Sequence, residues 1–347
     1  EEQKTMDKKQ RKFLIPLSIV GVGVGLTYFL FRDQPDKQVL ATKKVEHLEE
    51  TNHEQKNFFL MVDDGLPLAV TITKPVGREI KGIVQIIHGI LEHKNRYQDF
   101  ADFLATQGYL VLTSDNRGHG ESNNEQNPLG HMPGVERMVA DQVYLTNFIK
   151  AQYPDMPLYL YGHSFGSILA RNYLKENDDL VDKLLLTGTV SYEKLAPLGV
   201  QLGKIAQLLT GKQKHSWLLK KLSGYGAEDK SWLTNDLSQI EKLNGDTRMI
   251  PGYTNQGVST IWQADYELKQ IKKYRCQNPT LPILSLSGIQ DEAITGGVKG
   301  LADTKATLEA MGYLDVEVIE YEGMKHEVLN EIDNQLVYQR ILEFFET

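Results

Sequence analysis

From about Phe58 to the end of the chain, short apolar runs alternate with longer helical patterns. Gly82–Ile87 (GIVQII), Leu110–Thr113, Leu158–Tyr161, Leu184–Thr187 and Leu281–Leu286 are compact runs, apolar or β-branched at nearly every position. Such runs read as strands buried on both faces, as parallel sheets require. Ala69–Thr73 alternates at period two, like a half-exposed strand. Helical patterns cover Tyr97–Gln107, Val135–Tyr153, Phe165–Glu176, Val298–Met311 and Val328–Phe345. Strand–helix alternation over this length predicts a doubly wound, mostly parallel α/β sheet.

Residues 190–275 break the alternation, because no run there looks like a buried strand. Leu195, Leu198, Leu202, Ile205 and Leu209 recur every three or four residues and predict an amphipathic helix, with more helical text at Trp232–Leu243. An insertion of this kind predicts a helical cap over the carboxyl edge of the sheet, where open α/β sheets hold ligands. The same apolar faces also suit closure of a second small core. The sheet domain is then split into 58–189 and 276–347.

The N-terminal stretch has a different character. Phe13–Phe31 runs 19 residues without a charge, close to the ~20 needed to cross a bilayer as a helix. Lys8, Lys9, Arg11 and Lys12 precede it, so residues 1–12 are expected in the cytoplasm, 13–31 in the membrane and the rest outside. A cleaved signal peptide followed by secretion is the alternative, although Arg32-Asp33-Gln34-Pro35 offers no small-x-small site. Residues 32–57 are polar and read as a tether. Gly21 and Gly25 match a helix-pairing spacing, unremarkable in so glycine-rich a run. A formal charge of −8 argues against a nucleic-acid partner, which would want a basic face. One cysteine, Cys276, excludes an internal disulfide and a cysteine-rich zinc site.

Gly162-His163-Ser164-Phe165-Gly166 follows one strand directly and opens a helix. In that context GxSxG describes a sharp turn that projects a serine hydroxyl and leaves the Phe165 N–H at a helix N-terminus. The hydroxyl needs a base. Of nine histidines, His326 alone follows the last predicted strands, where the order serine, acid, histidine puts the base. Asp291 follows Leu281–Gly288 after two residues and is the candidate for the acid that orients the imidazole, with Glu292 as runner-up. An oxyanion requires two backbone donors. Phe165 N–H is one, and His88-Gly89-Ile90 after the GIVQII strand offers Ile90 N–H as the other. Metal and cofactor motifs are absent: there is no HExxH, EF-hand loop or Walker spacing, so no metal or cofactor is expected.

These motifs together resemble the monoacylglycerol lipase and lysophospholipase group of α/β-hydrolases, sometimes classed with serine aminopeptidases. His88–Tyr97 (HGILEHKNRY), Asp115–Ser122 (DNRGHGES), Gly162–Ser167 (GHSFGS), Lys230–Asp236 (KSWLTND) and Tyr321–Glu331 (YEGMKHEVLNE) carry the likeness. Leu91, where many members of the group carry glycine, and Asp291-Glu292-Ala293-Ile294 depart from it. The resemblance covers Phe58 to the C-terminus and implies an α/β-hydrolase fold that cleaves esters of single-chain lipids through an acyl-enzyme. An aminopeptidase or amidase using the same residues, and a membrane-tethered binding protein without catalysis, are the alternatives.

Overall fold

A computed structural model of the chain describes residues 39–42, 53–224 and 229–347. The expected cytoplasmic flank (1–12), the expected membrane span (13–31) and most of the expected tether lie outside the described residues. Among the described residues, no helix is long and apolar enough to cross a membrane.

The strands, in chain order, are Val39–Thr42 (β1), His53–Met61 (β2), Pro67–Pro75 (β3), Gly82–Ile87 (β4), Tyr109–Ser114 (β5), Leu158–His163 (β6), Lys183–Thr187 (β7), Ile283–Gly288 (β8) and Val316–Tyr321 (β9). Eight strands from β2 onward form a mixed, mostly parallel sheet, and the short β1 adds to its edge in the order β1-β2-β3-β5-β4-β6-β7-β8-β9. β1, β2 and β3 run antiparallel to their neighbours, and the rest pair parallel. Side chains alternate across a strand, so each strand feeds two cores. Leu110, Leu112, Leu158, Leu160, Leu184 and Leu186 pack on one face. Their sequence neighbours Tyr109, Val111, Tyr159, Tyr161 and Leu185 pack on the other.

Helices cover both faces. Gln98–Thr106 (α1) and Asn334–Glu346 (α10) bury Phe100, Leu104, Val337, Ile341 and Phe345 in the second core. Val135–Gln152 (α2) and Phe165–Asn177 (α3) bury Met138, Leu145, Ile168 and Leu169 in the first. Between β7 and β8 the chain forms Ala196–Thr210 (α4), Trp217–Ser223 (α5), Leu237–Gly245 (α6) and Asn255–Glu267 (α7); Glu292–Thr295 (α8) and Gly297–Met311 (α9) follow β8.

Several sequence expectations need correction. Residues 53–57 are not tether: they begin β2, which pairs with β3 from His53↔Pro75 to Met61↔Pro67. The polar first half of β2 hides its period, and only Phe58 and Leu60 reach the core. β9 (VEVIEY) was likewise unread, since an edge strand tolerates Glu317 and Glu320. The C-terminal helix starts at Asn334, not Val328, because Val328–Asn330 is a 3₁₀ turn and Glu331 is extended. Trp232 lies in a turn, and helix resumes only at Leu237, capped by the Asp236 carboxylate.

The largest correction concerns α4. Most of its leucine stripe faces outward, Leu198 at 56% and Leu209 at 76% exposure, while Leu202 packs half-buried against the core. The buried face is Ala196, Gly199, Val200 and Gly203. A Cβ at Gly199 would stand 2.7 Å from the Trp262 ring, and one at Gly203 2.1 Å from Ser259 Oγ, so small residues let α4 lie close on α7. Burial follows from how near the backbones come, and here it selects against the larger side chains.

This arrangement is testable by chemical denaturation. Gly203→Leu should cost about 1–3 kcal/mol through overpacking against α7. Leu198→Gln and Leu209→Gln should each stay within about 0.5 kcal/mol of wild type; the opposite ranking would mean that the leucine stripe is the buried face.

Candidate active site

The carboxyl ends of the parallel strands carry all the sequence-predicted site residues. Ser164 joins β6 to α3 at φ 53° and ψ −119°, a left-handed backbone that is uncommon for any residue but glycine. Its N–H donates to the Thr187 carbonyl at 3.0 Å, which ties the turn to the end of β7. A Cβ on Gly166 would lie 2.0 Å from the Ile87 carbonyl oxygen, and one on Gly89 3.0 Å from Ser164 Cβ. The glycines therefore let the loop after β4 rest directly on the serine turn.

The His326 Nδ1–H donates to Asp291 Oδ2 at 2.7 Å, with both residues buried. A carboxylate oxygen can only accept, so the proton sits on Nδ1 and Nε2 is left as the basic nitrogen. Gln290 N–H bonds the Met324 carbonyl at 3.0 Å, holding the acid loop against the histidine loop. Glu292, the alternative acid, is exposed on the first turn of α8. The His326 ring rests on Gly188, packs 4.8 Å from the His163 ring and lies 5.0 Å from the Trp232 ring of the cap. Histidine and acid are thus joined, and the His326 ring packs on His163, the residue that precedes Ser164. Its hydroxyl makes no hydrogen bond among the described residues; such contacts are often long until substrate binds.

The loop after β4 is pinned on each side of Ile90. Gly89 N–H donates to Glu92 Oε1. Leu91 N–H donates to the Tyr253 hydroxyl oxygen at 2.7 Å. Asn116 N–H donates to His88 Nε2 at 2.8 Å, so the ring's Nδ1–H donates to the Gly89 carbonyl, also at 2.8 Å. In a trans peptide the C=O and the next N–H point in opposite directions, so this bond also aims the Ile90 N–H. Ile90 N–H and Phe165 N–H have no hydrogen-bond partner among the described residues.

Below the loop lies a cluster that the sequence reading left without a role. Arg96 donates to Glu92 Oε2 and to Glu327 Oε1, each at 2.7 Å, and also to Glu327 Oε2. The Tyr97 hydroxyl donates to Glu92 Oε1 at 2.7 Å. Burial is the largest single influence and works against ionisation of both carboxyls, but Arg96 together with the neighbouring histidines and hydrogen bonds holds each below its usual range. The Glu92–Arg96 spacing of four after a buried strand was the available signal. Nothing in the local sequence could place Glu327 or Tyr253 beside that loop.

Burial also suppresses imidazole charging: His88 falls to about 4, His119 to about 3 and His163 to about 4, neighbouring histidines adding to the effect. Asp265 on α7 moves the other way, pushed by burial to about 7, with Oδ2 accepting the Glu193 N–H and Oδ1 unpartnered. Among the described residues, no group of three or more His, Cys, Asp or Glu side chains stands close enough to hold a metal ion.

Known proteins resemble this chain in sequence and in fold. The family described as Hydrolase_4, serine aminopeptidase S33, matches residues 78–333. A monoacylglycerol lipase of Mycolicibacterium smegmatis is 25% identical over 259 residues, 74% of this chain and 85% of its own. A monoglyceride lipase of Rattus norvegicus is 27% identical over 290 residues, 80% of this chain and 86% of its own. Among solved structures, a thermostable carboxyl esterase of Bacillus coagulans superposes with TM-score 0.74 at 24% identity, covering 84% of this chain and 98% of the other. A soluble variant of the Saccharomyces cerevisiae monoglyceride lipase gives TM-score 0.64 at 20% identity, covering 88% and 96%.

The titrations predict an asymmetric pH profile. Unfolded imidazoles take up protons below about 6.5, whereas native His88, His119 and His163 stay neutral down to 4 or lower. The unfolded state binds more protons in that window, so stability falls with falling pH from about 6.5 to 4, by up to about 1.4 kcal/mol per pH unit per imidazole. Asp265 opposes this, because its native form holds a proton up to about 7. Asp265→Asn should therefore steepen the dependence of the urea midpoint on pH between 4 and 7. An unchanged slope would place Asp265 outside the buried environment described.

Proposed function

The chain belongs to the serine aminopeptidase S33 family of α/β-hydrolases, and on that premise we propose that it hydrolyses carboxylic esters of single-chain lipids, monoacylglycerols or lysophospholipids, with Ser164, His326 and Asp291 as its catalytic residues. The observation that carries this reading is the buried His326–Asp291 hydrogen bond at 2.7 Å beside a serine in a strained left-handed turn. His326 Nε2 takes the Ser164 proton as the oxygen attacks the acyl carbonyl. Ile90 N–H and Phe165 N–H receive the negative charge that develops on the carbonyl oxygen. The alcohol leaves with the proton from Nε2, and the acyl group remains on Ser164. Water then attacks while Nε2 accepts its proton, and the acid departs as that proton returns to Ser164. Asp291 stays ionised throughout and stabilises the imidazolium.

Two features support a lipid substrate beyond the distant likeness to monoglyceride lipases. α4 and α5 expose a broad apolar face, with Leu208 at 87% and Trp217 at 73% exposure. Six lysines and no acidic residue lie between Lys194 and Lys221, in a chain of net charge −8, which suits an anionic lipid surface. A free-amine substrate would instead call for acidic groups near the serine. Of the three cap acids that could serve there, Asp229 and Asp236 accept local turn hydrogen bonds from Ser231 N–H and Ser238 N–H, and Glu228 lies outside the described residues. The apolar Phe13–Phe31 run would hold the enzyme in the cell membrane with its catalytic domain outside the cytoplasm, and cleavage after that run would instead release it.

Purified full chain should turn over monoacylglycerol or lysophosphatidylcholine and leave an aminoacyl arylamide intact. Ser164→Ala should lower the rate by about 10⁴-fold or more and abolish fluorophosphonate labelling. Arylamide turnover without ester turnover would replace the lipid reading by a peptidase one, and folded but unlabelled wild type would refute catalysis by Ser164. Single cysteines placed before Phe13 and after Phe31 test the topology: only the latter should react with an impermeant reagent on intact cells.

A further inference from the structure

Leu91 and Ser164 are the non-glycine residues with positive φ among the described residues, at 61° and 53°. For Ser164 the strain belongs to the turn that presents the hydroxyl. Leu91 has no such reason of its own, and its γ-branched side chain gains nothing from a left-handed backbone. What holds it there is the segment between α6 and α7. The Tyr253 hydroxyl oxygen accepts the Leu91 N–H at 2.7 Å, and Ile250 N–H donates to the Leu91 carbonyl at 3.0 Å. Both polar groups of this one residue are therefore satisfied by the cap.

The Tyr253 hydroxyl is itself fixed. His119 sets its Nδ1 against the Arg117 carbonyl at 3.1 Å, so that nitrogen carries the proton and Nε2 accepts. Tyr253 O–H donates to His119 Nε2 at 2.8 Å, which leaves its oxygen lone pairs for Leu91. The His119 ring is fully buried and has no reason to rotate. Donation runs in one direction, from Leu91 N–H to Tyr253 and from Tyr253 O–H to His119, so the chain starts on the peptide that follows Ile90.

We propose that Tyr253 is a positioning residue for the oxyanion loop: it holds Leu91 in its left-handed conformation and so keeps the Ile90 N–H aimed at the carbonyl attacked by Ser164. The proposal rests on the serine hydrolase reading above and deepens it. The Tyr253 hydroxyl supplies from the cap what a glycine at position 91 would supply through its own backbone freedom. His88 and Glu92 hold the peptide before Ile90 from the core, and the Asp246–Thr254 segment holds the peptide after Ile90 only while it is seated. A cap displaced from that seat removes this second support of the Ile90 N–H, which couples closure of the site to catalytic competence.

The test is a double-substitution cycle on the full chain, with p-nitrophenyl butyrate as the ester. Tyr253→Phe should lower kcat about tenfold with KM within about twofold, a fraction of the 10²–10³ lost when an oxyanion donor is removed outright. In a Leu91→Gly background, where the left-handed backbone needs no support, adding Tyr253→Phe should change kcat by less than about threefold. A purely structural role would lower the melting temperature and activity equally in both backgrounds, and that result overturns the proposal. So does an unchanged kcat in Tyr253→Phe alone. Fluorophosphonate labelling of wild type separates the two levels: labelling with no Tyr253 effect sinks only the positioning role, whereas folded, unlabelled wild type sinks the hydrolase reading and this proposal with it.

Discussion

The Arg96 guanidinium, shared by Glu92 and Glu327, is the contact on which the rest of the site depends. It joins the loop after β4 to the loop after β9, two segments more than 200 residues apart in sequence. Isolated buried charges cost several kcal/mol each in lost hydration, so none of the three is stable without the others. The cluster is satisfied on nearly every side: Tyr97 O–H and Gly89 N–H fill the free lone pairs of Glu92 Oε1, and Asn330 donates to Glu327 Oε2 at 3.0 Å. Its effect is geometric. Glu92 fixes the peptide just before Ile90, and Glu327 directly follows His326, so a single cation sets the spacing between the oxyanion loop and the base.

The cap adds a second layer of the same constraint. Its Ser231–Asn235 stretch grips the histidine loop: Leu233 carbonyl accepts the Glu327 N–H at 2.8 Å, Lys325 Nζ reaches the Ser231 carbonyl at 2.7 Å, and Thr234 Oγ1 donates to the Asn330 carbonyl at 2.8 Å. Its Asp246–Tyr253 stretch grips the oxyanion loop through Leu91 and through His93 Nε2 on Asp246 at 2.8 Å. Both catalytic loops are therefore shared between sheet and cap, while α4 and α5 carry half of the exposed leucines among the described residues. The cap is stapled where alignment matters and apolar where nothing on the core covers it.

What the sequence revealed follows from how local each signal is. Five of the six strands read from it are runs whose burial shows in their own composition, the sixth shows by alternation, and the GxSxG turn announces itself because strand, turn and helix are contiguous. Asp291 and His326 were reachable because chain order in this fold restricts where acid and base can lie. β2 and β9 were missed because edge and mixed-polarity strands owe their structure to partners distant in sequence: residues 53–57 become strand only through the β3 ladder. The α4 stripe misled for a related reason. Periodicity tells which residues share a face, but which face is buried was decided by Gly199 and Gly203 against Trp262 and Ser259. Tyr253 and Glu327 were illegible because their importance is a matter of what they touch.

Leucine at position 91 shows how far such contacts reach. A residue forced to positive φ raises the energy of the folded loop, and it persists only where neighbours over-determine it. Here the neighbours are two hydrogen bonds from the cap, so the conformational preference of one side chain is converted into a dependence of the oxyanion loop on a separate layer of the molecule. With glycine at 91, the left-handed backbone there would not need the cap, because it would populate that region unaided. With leucine, loop and cap are linked, and the cost of unseating the cap includes the cost of releasing Leu91. The strain therefore does not simply weaken the fold: it makes the arrangement of backbone donors beside Ser164 conditional on the cap that covers it.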